Sequence, residues 1–212
     1  MKISPTLTEV KEIAKTGKYD ILPVSCEILS DFITPIEAMR ILQNVSTHCY
    51  LLESAQANEA WGRYTFLGYD PKLEINCIDG HMKLGKLSVE TENPSEYIRQ
   101  ILSEYKSPKF DYLPSFTGGL VGYFSYDYLG YKEKSIRGKA KDTEDFKDVD
   151  LMLFDKVIAF DNLCQKIILI ANMSLDAPET GYNKAIVELK QLRELLMHGE
   201  KKQNMGGKLL GE

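Results

Sequence analysis

The segment LLESAQANEAWGRYTFLGYDP, residues 51 to 71, gathers a carboxylate (Glu53), a hydroxyl (Ser54), a glycine that permits close approach (Gly62), a guanidinium (Arg63) and two large aromatic faces (Trp61 and Tyr64). Two extended runs joined by a short polar connection place Glu53 and Ser54 at the end of one strand and Trp61 to Tyr64 at the start of the next. As neighbours, these groups suit an amphoteric aromatic ligand. Glu53 pairs an ammonium, Ser54 and backbone N–H groups meet a carboxylate, and aromatic or aliphatic walls accept a flat ring. Side chains alternate along a strand, so Glu53 and Ser54 face one pocket only where the strand ends or bulges, and the same holds for Arg63 and Tyr64. Taken by themselves the residues also have a simpler reading, a Glu53–Arg63 cross-strand ion pair on an ordinary sheet, worth about 0.2–1 kcal/mol.

Other chemistry-bearing residues lead less far. Gly118-Gly119-Leu120-Val121-Gly122 is glycine-rich, but no Gly-Lys-Ser/Thr follows and a strand rather than a helix comes next, so close backbone packing at a strand start is expected instead of a phosphate loop. The acidic run Asp142 to Asp150 lacks the order and the glycine of a calcium loop and reads as a solvated face. Cys26, Cys49, Cys77 and Cys164 are scattered, as are His48, His81 and His198, so neither a zinc site nor a redox pair is expected. No catalytic constellation and no metal site is expected.

The elements that position the first segment follow from periodicity and turn chemistry. Thr6 and Glu9 make a capping box for a helix from Leu7 to Thr16, with Gly17 as its stop. Asp20 to Ile28, with an internal proline, reads as an edge strand. Pro35 opens a second helix. Strands are expected at 48–54, 61–69, 73–78 and 81–87, with the Asp79-Gly80 pair as a hairpin turn. Pro94 opens an amphipathic helix that buries Tyr97, Ile98, Ile101, Leu102 and Tyr105. A long strand is expected over LVGYFSYDYLGY, then a charged loop from Lys132 to Asp150, strands at 151–160 and 166–172, and a final helix from about Glu179 to Met197. The fold class expected is α+β, mainly antiparallel sheet in a β-sandwich-like core with flanking helices. Residues 1–200 form the domain, and 201–212 form a linker or tail.

The chain has 43% hydrophobic and 27% charged residues, the balance of an ordinary globular protein. Its net charge of -5 leaves no electrostatic footprint for nucleic acid, and no apolar run reaches the length of a bilayer span or of a secretion signal. No nucleic-acid partner, no membrane and a cytoplasmic address are expected.

Residues 51 to 71 resemble the N-terminal region of anthranilate synthase component I. Residues 7 to 28, GGLVGYFSYDYLGYKEK (118 to 134) and DLMLFDKVIAFDNLCQKIILIAN (150 to 172) agree in order, so the resemblance spans nearly the whole chain. It implies part of a chorismate-using lyase of tryptophan biosynthesis, which with a glutamine amidotransferase subunit makes anthranilate and pyruvate and is inhibited by tryptophan. In that family the LLES segment lies in the feedback site. This singles out Ser54, with Leu52, Glu53, Trp61, Gly62, Arg63 and Tyr64 around it, as residues that bind L-tryptophan. The family's chorismate- and Mg2+-binding residues belong to a C-terminal half expected beyond residue 212. The chain is therefore expected to hold no cofactor, to lack the catalytic half and to carry an incomplete tryptophan pocket. The N-terminal domain of aminodeoxychorismate synthase component I is similar, but the Glu-Ser pair and GYFSYD favour the anthranilate enzyme. A stand-alone amino-acid-binding domain is the third reading.

Overall fold

A computed structural model of the chain describes residues 1–54, 62–133, 135 and 146–202. Its helices begin where the sequence supplies caps. In α1 (Leu7–Lys15) the Thr6 hydroxyl accepts the Glu9 N–H at 3.4 Å while the Glu9 carboxylate accepts the Thr6 N–H at 2.7 Å. The same reciprocal box, Thr34 with Glu37, starts α2 (Pro35–Val45). Prolines in the first turn open α3 (Pro94–Ser103) and α4 (Pro178–His198), where a missing N–H costs nothing.

A six-stranded antiparallel sheet runs in the order β1 (Ile3–Ser4), β2 (Ile21–Leu29), β11 (Lys166–Ser174), β10 (Lys156–Asp161), β4 (Tyr64–Tyr69), β3 (Cys49–Leu52). One face carries α1, α2 and α4, whose Val10, Ile41, Leu42, Leu189 and Leu192 pack with Leu22, Leu67 and Ile167. On the other face Val157, Ala159, Ile168 and Ile170 lie beneath Leu113 and Phe116. Burial on both faces is why β10 and β11 read as continuous apolar runs instead of alternating.

A second, five-stranded antiparallel sheet has the order β7 (Leu87–Glu90), β6 (His81–Leu84), β5 (Leu73–Ile78), β9 (Val149–Phe154), β8 (Gly119–Phe124). Ile75, Cys77, Met82, Val149 and Leu151 pack there with Ile98 of α3. Asp79 and Gly80 make the expected hairpin turn, with φ of 48° and 83°. The architecture is thus α+β, two antiparallel sheets with flanking helices. Among the described residues no helix is long and apolar enough to cross a membrane.

Several expectations are corrected. The apolar run 151–160 is two strands, not one: β9 ends at Phe154 in one sheet and β10 begins at Lys156 in the other. The corner at Asp155 is held by Asn172, whose backbone N–H and side-chain amide both donate to the Asp155 carbonyl, at 2.8 and 3.0 Å, while that amide also reaches the Thr117 carbonyl at 2.7 Å. Burial on both sides of the corner hides it from hydropathy. The long strand expected over 120–131 stops at Phe124, because its partner β9 starts opposite it at Val149. The remainder winds into a 3-10 helix, Tyr126–Tyr131. Residues 81–87 hold a second hairpin turn at Gly85, and β2 is flanked on its outer side by the short β1, which leaves Pro23 beyond the reach of β1.

Candidate functional site

The adjoining strands β3 and β4 do pair, with Leu52 opposite Phe66 and Tyr50 opposite Gly68. Alternation puts Cys49 and Leu51 on the helix-covered face with Leu67 and Tyr69, and Tyr50 and Leu52 on the opposite face with Tyr64 and Phe66. The β3 ladder ends at Leu52, so Glu53 and Ser54 leave the strand at its tip and both are exposed. This is the strand end that alternation requires if neighbouring side chains are to meet one ligand. Gly62 and Arg63 precede β4 and are half-buried, as is Tyr64. Trp61 lies outside the described residues.

Aromatic packing gives this end of the sheet a firm wall. Tyr64 and Phe66 centroids are 5.8 Å apart, Phe66 meets the edge of Phe116 at 5.6 Å, and Tyr50 sits edge-on to Phe154 at 4.7 Å. Leu52, 47% exposed, lies beside Phe66 on the same face and supplies an aliphatic surface open to solvent. Gly68 makes room for the Tyr50 ring, since a Cβ there would lie 2.2 Å from Tyr50 Cε1.

Arg63 does not pair with Glu53. Its guanidinium forks onto Asp161 at the end of β10, Nε donating to Oδ1 at 3.1 Å and Nη2 to Oδ2 at 2.8 Å. It also lies 4.9 Å from the centre of the Tyr64 ring. The Asp161 carboxylate further accepts the backbone N–H groups of Leu163 and Cys164, at 3.2 and 3.0 Å. Burial alone would push this carboxyl up, but the Arg63 fork and the Cys164 N–H outweigh it and hold it below the usual carboxylate range. The bond to Asp161 in turn raises the Arg63 guanidinium further above its ordinary value. Burial raises the Tyr64 phenol as well.

The cross-strand ion pair of the simpler reading is therefore replaced by a pair between strand ends that are neighbours in the sheet but distant in sequence. In the sequence Asp161 has no mark beyond its place, with Asn162, between two apolar runs. Phe66 and Phe116 carried no signal beyond being aromatic. Among the described residues, Glu53 and Ser54 are the exposed polar side chains that follow β3 at this end. Among the described residues no three His, Cys, Asp or Glu side chains gather as a metal site would require.

No family model matches the chain. It is 34% identical over 198 residues to anthranilate synthase component 1 of Acetivibrio thermocellus, an alignment that covers 91% of this chain and 39% of that protein. It is 36% identical over 196 residues to the component 1 of Pseudomonas aeruginosa, covering 89% of this chain and 39% of the relative. Among solved structures, the crystal structure of anthranilate synthase component I from Streptococcus pneumoniae superposes with a TM-score of 0.51 at 25% identity, over 78% of this chain and 36% of that one. The chain thus spans about two-fifths of the length of the curated relatives it matches. By sequence and by fold, it corresponds to the N-terminal portion of anthranilate synthase component I.

Proposed function

We propose that this chain is the regulatory portion of an anthranilate synthase and that the tip of the β3–β4 pair binds L-tryptophan as a feedback inhibitor. The observation that carries the reading is the junction itself: in a relative of that enzyme, the strand bearing Leu52, Glu53 and Ser54 stands beside the one entered through Gly62, Arg63 and Tyr64. The indole ring would lie against Leu52 and the aromatic wall, Glu53 would pair the ammonium, and Ser54 with nearby backbone N–H groups would take the carboxylate. Arg63 serves the site by fixing the start of β4 to Asp161. Conversion of chorismate to anthranilate, with Mg2+ and a glutamine amidotransferase subunit, falls to the rest of a complete enzyme, and the cytoplasm is where it would act.

Calorimetric titration of the chain with L-tryptophan, paired with thermal melts, tests this. At a ligand concentration 100 times its dissociation constant the fold should gain about 2.7 kcal/mol. The absence of both a binding heat and a melt shift at saturating tryptophan would sink the reading. Ser54→Arg, which fills the site with a large cation, should abolish the gain while leaving the unliganded melt within about 0.5 kcal/mol of the original, as befits an exposed position.

A further inference from the structure

On the far side of the molecule a second recess, about 410 Å³, opens between α1 and the turn at residues 110–113. Its apolar lining is Pro5, Ile13 and the rings of Phe110 and Tyr112, which stack at 5.1 Å and 25°. Phe110 is anchored in the helix-side core, whereas Tyr112 is 44% exposed and forms the outer lip. The charged groups in the lining are carboxylates: Glu9 and Glu12, one turn apart on α1. Glu9 uses Oε2 for both the Thr6 N–H and the Thr6 hydroxyl, and Glu12 meets Lys15 through Oε1. One oxygen of each carboxylate thus remains able to accept from a visitor. Burial, and next to it the nearby Glu9 charge, push the Tyr112 phenol up to about 12, so at neutral pH the ring is neutral and its face electron-rich.

A flat aromatic face beside two carboxylates attracts a cation and repels an anion. We propose that this groove is a binding site for an organic cation, a protonated primary amine carried on a flat apolar body. The apolar body lies on Tyr112 and Ile13 and the ammonium points to Glu9 and Glu12. The site is separate from the β3–β4 tip and does not depend on tryptophan binding there.

Phenethylamine is a suitable probe, with 3-phenylpropionate as its anionic counterpart, titrated into the isotopically labelled chain and followed by NMR. Phenethylamine should shift resonances of residues 5–13 and 110–113 in a saturable way, and 3-phenylpropionate should not. Glu9→Gln keeps the capping box, because glutamine serves there as well as glutamate, yet removes the charge. It should weaken binding roughly two- to fivefold. Tyr112→Ala should weaken it by roughly the same factor through loss of the ring face. Equal binding of the anion, unchanged affinity in both variants, or no shifts at these residues would each overturn the proposal. Because the read-out residues lie away from 52–54 and 62–64, its failure would leave the tryptophan reading untouched.

Discussion

Arg63→Met removes the fork to Asp161 while keeping an apolar stem against Tyr64. The Asp161 side chain is 0% exposed and would be left with two backbone donors, whereas Arg63 is 35% exposed and already partly hydrated. A hydrogen bond to a charged group contributes about 1.5–3 kcal/mol, so two lost bonds set a ceiling near 6 kcal/mol. Partial exposure of the arginine and the surviving backbone donors bring the expected cost to about 2–3 kcal/mol at pH 7. In the wild-type chain the Asp161 carboxyl sits below its ordinary value, so its contribution is complete above the unfolded-state pKa, about 3.9, and is lost as pH falls through the folded value. In the variant, burial without the fork raises the folded value instead. The resulting penalty is full above that raised value and fades as falling pH protonates the group. The gap between the two proteins is therefore widest at pH 7 and narrows toward pH 4. Urea unfolding followed by circular dichroism should show a midpoint lower by about 1 M at pH 7, for a slope of roughly 2 kcal/mol/M. An equal shift at both pH values would refute the electrostatic account. Loss of tryptophan binding with an unchanged midpoint would show instead that Arg63 faces the ligand.

Two further substitutions test the packing of the two sheets, one in each. Gly68→Ala should destabilise by about 2–3 kcal/mol, because the added methyl overlaps the Tyr50 ring and displaces it from Phe154, and a thermal melt lower by roughly 4–12 °C would register it. Tyr131→Phe deletes a hydroxyl that accepts the Gly80 N–H at 2.6 Å and donates to Asp148 at 2.7 Å, for an expected cost of about 1–3 kcal/mol. Faster amide exchange at Gly80, with β10 and β11 unaffected, would show that the loss is local.

Much of this arrangement is legible in the sequence. Thr6, Pro35 and Pro94 begin helices for reasons contained within four residues of chain, and Asp79-Gly80 turns because its own backbone needs positive φ. What could not be read depended on partners far away in sequence. Arg63 has Glu53 as its plausible local partner, yet Asp161, the Cα partner of Tyr64 across the β4–β10 ladder, takes it. The extent of β8 is decided by where β9 begins, and the division of 151–160 by two carbonyl contacts from Asn172. Gly122, by contrast, shows the close backbone packing expected of the glycine-rich run: its φ of 151° lets the chain pass where a Cβ would lie 1.9 Å from the Asp150 carbonyl oxygen.

Asp155 is the single residue between β9 and β10, so the two sheets meet through a joint with almost no slack. The carbonyl of that residue is held by two hydrogen bonds from Asn172, which sets the direction in which the chain leaves one sheet for the other. The chain makes a second short crossing between the same two sheets, from the end of β4 at Tyr69 to the start of β5 at Leu73, and β4 is the strand paired to β10. Two brief crossings on neighbouring strands therefore fix where one sheet sits against the other.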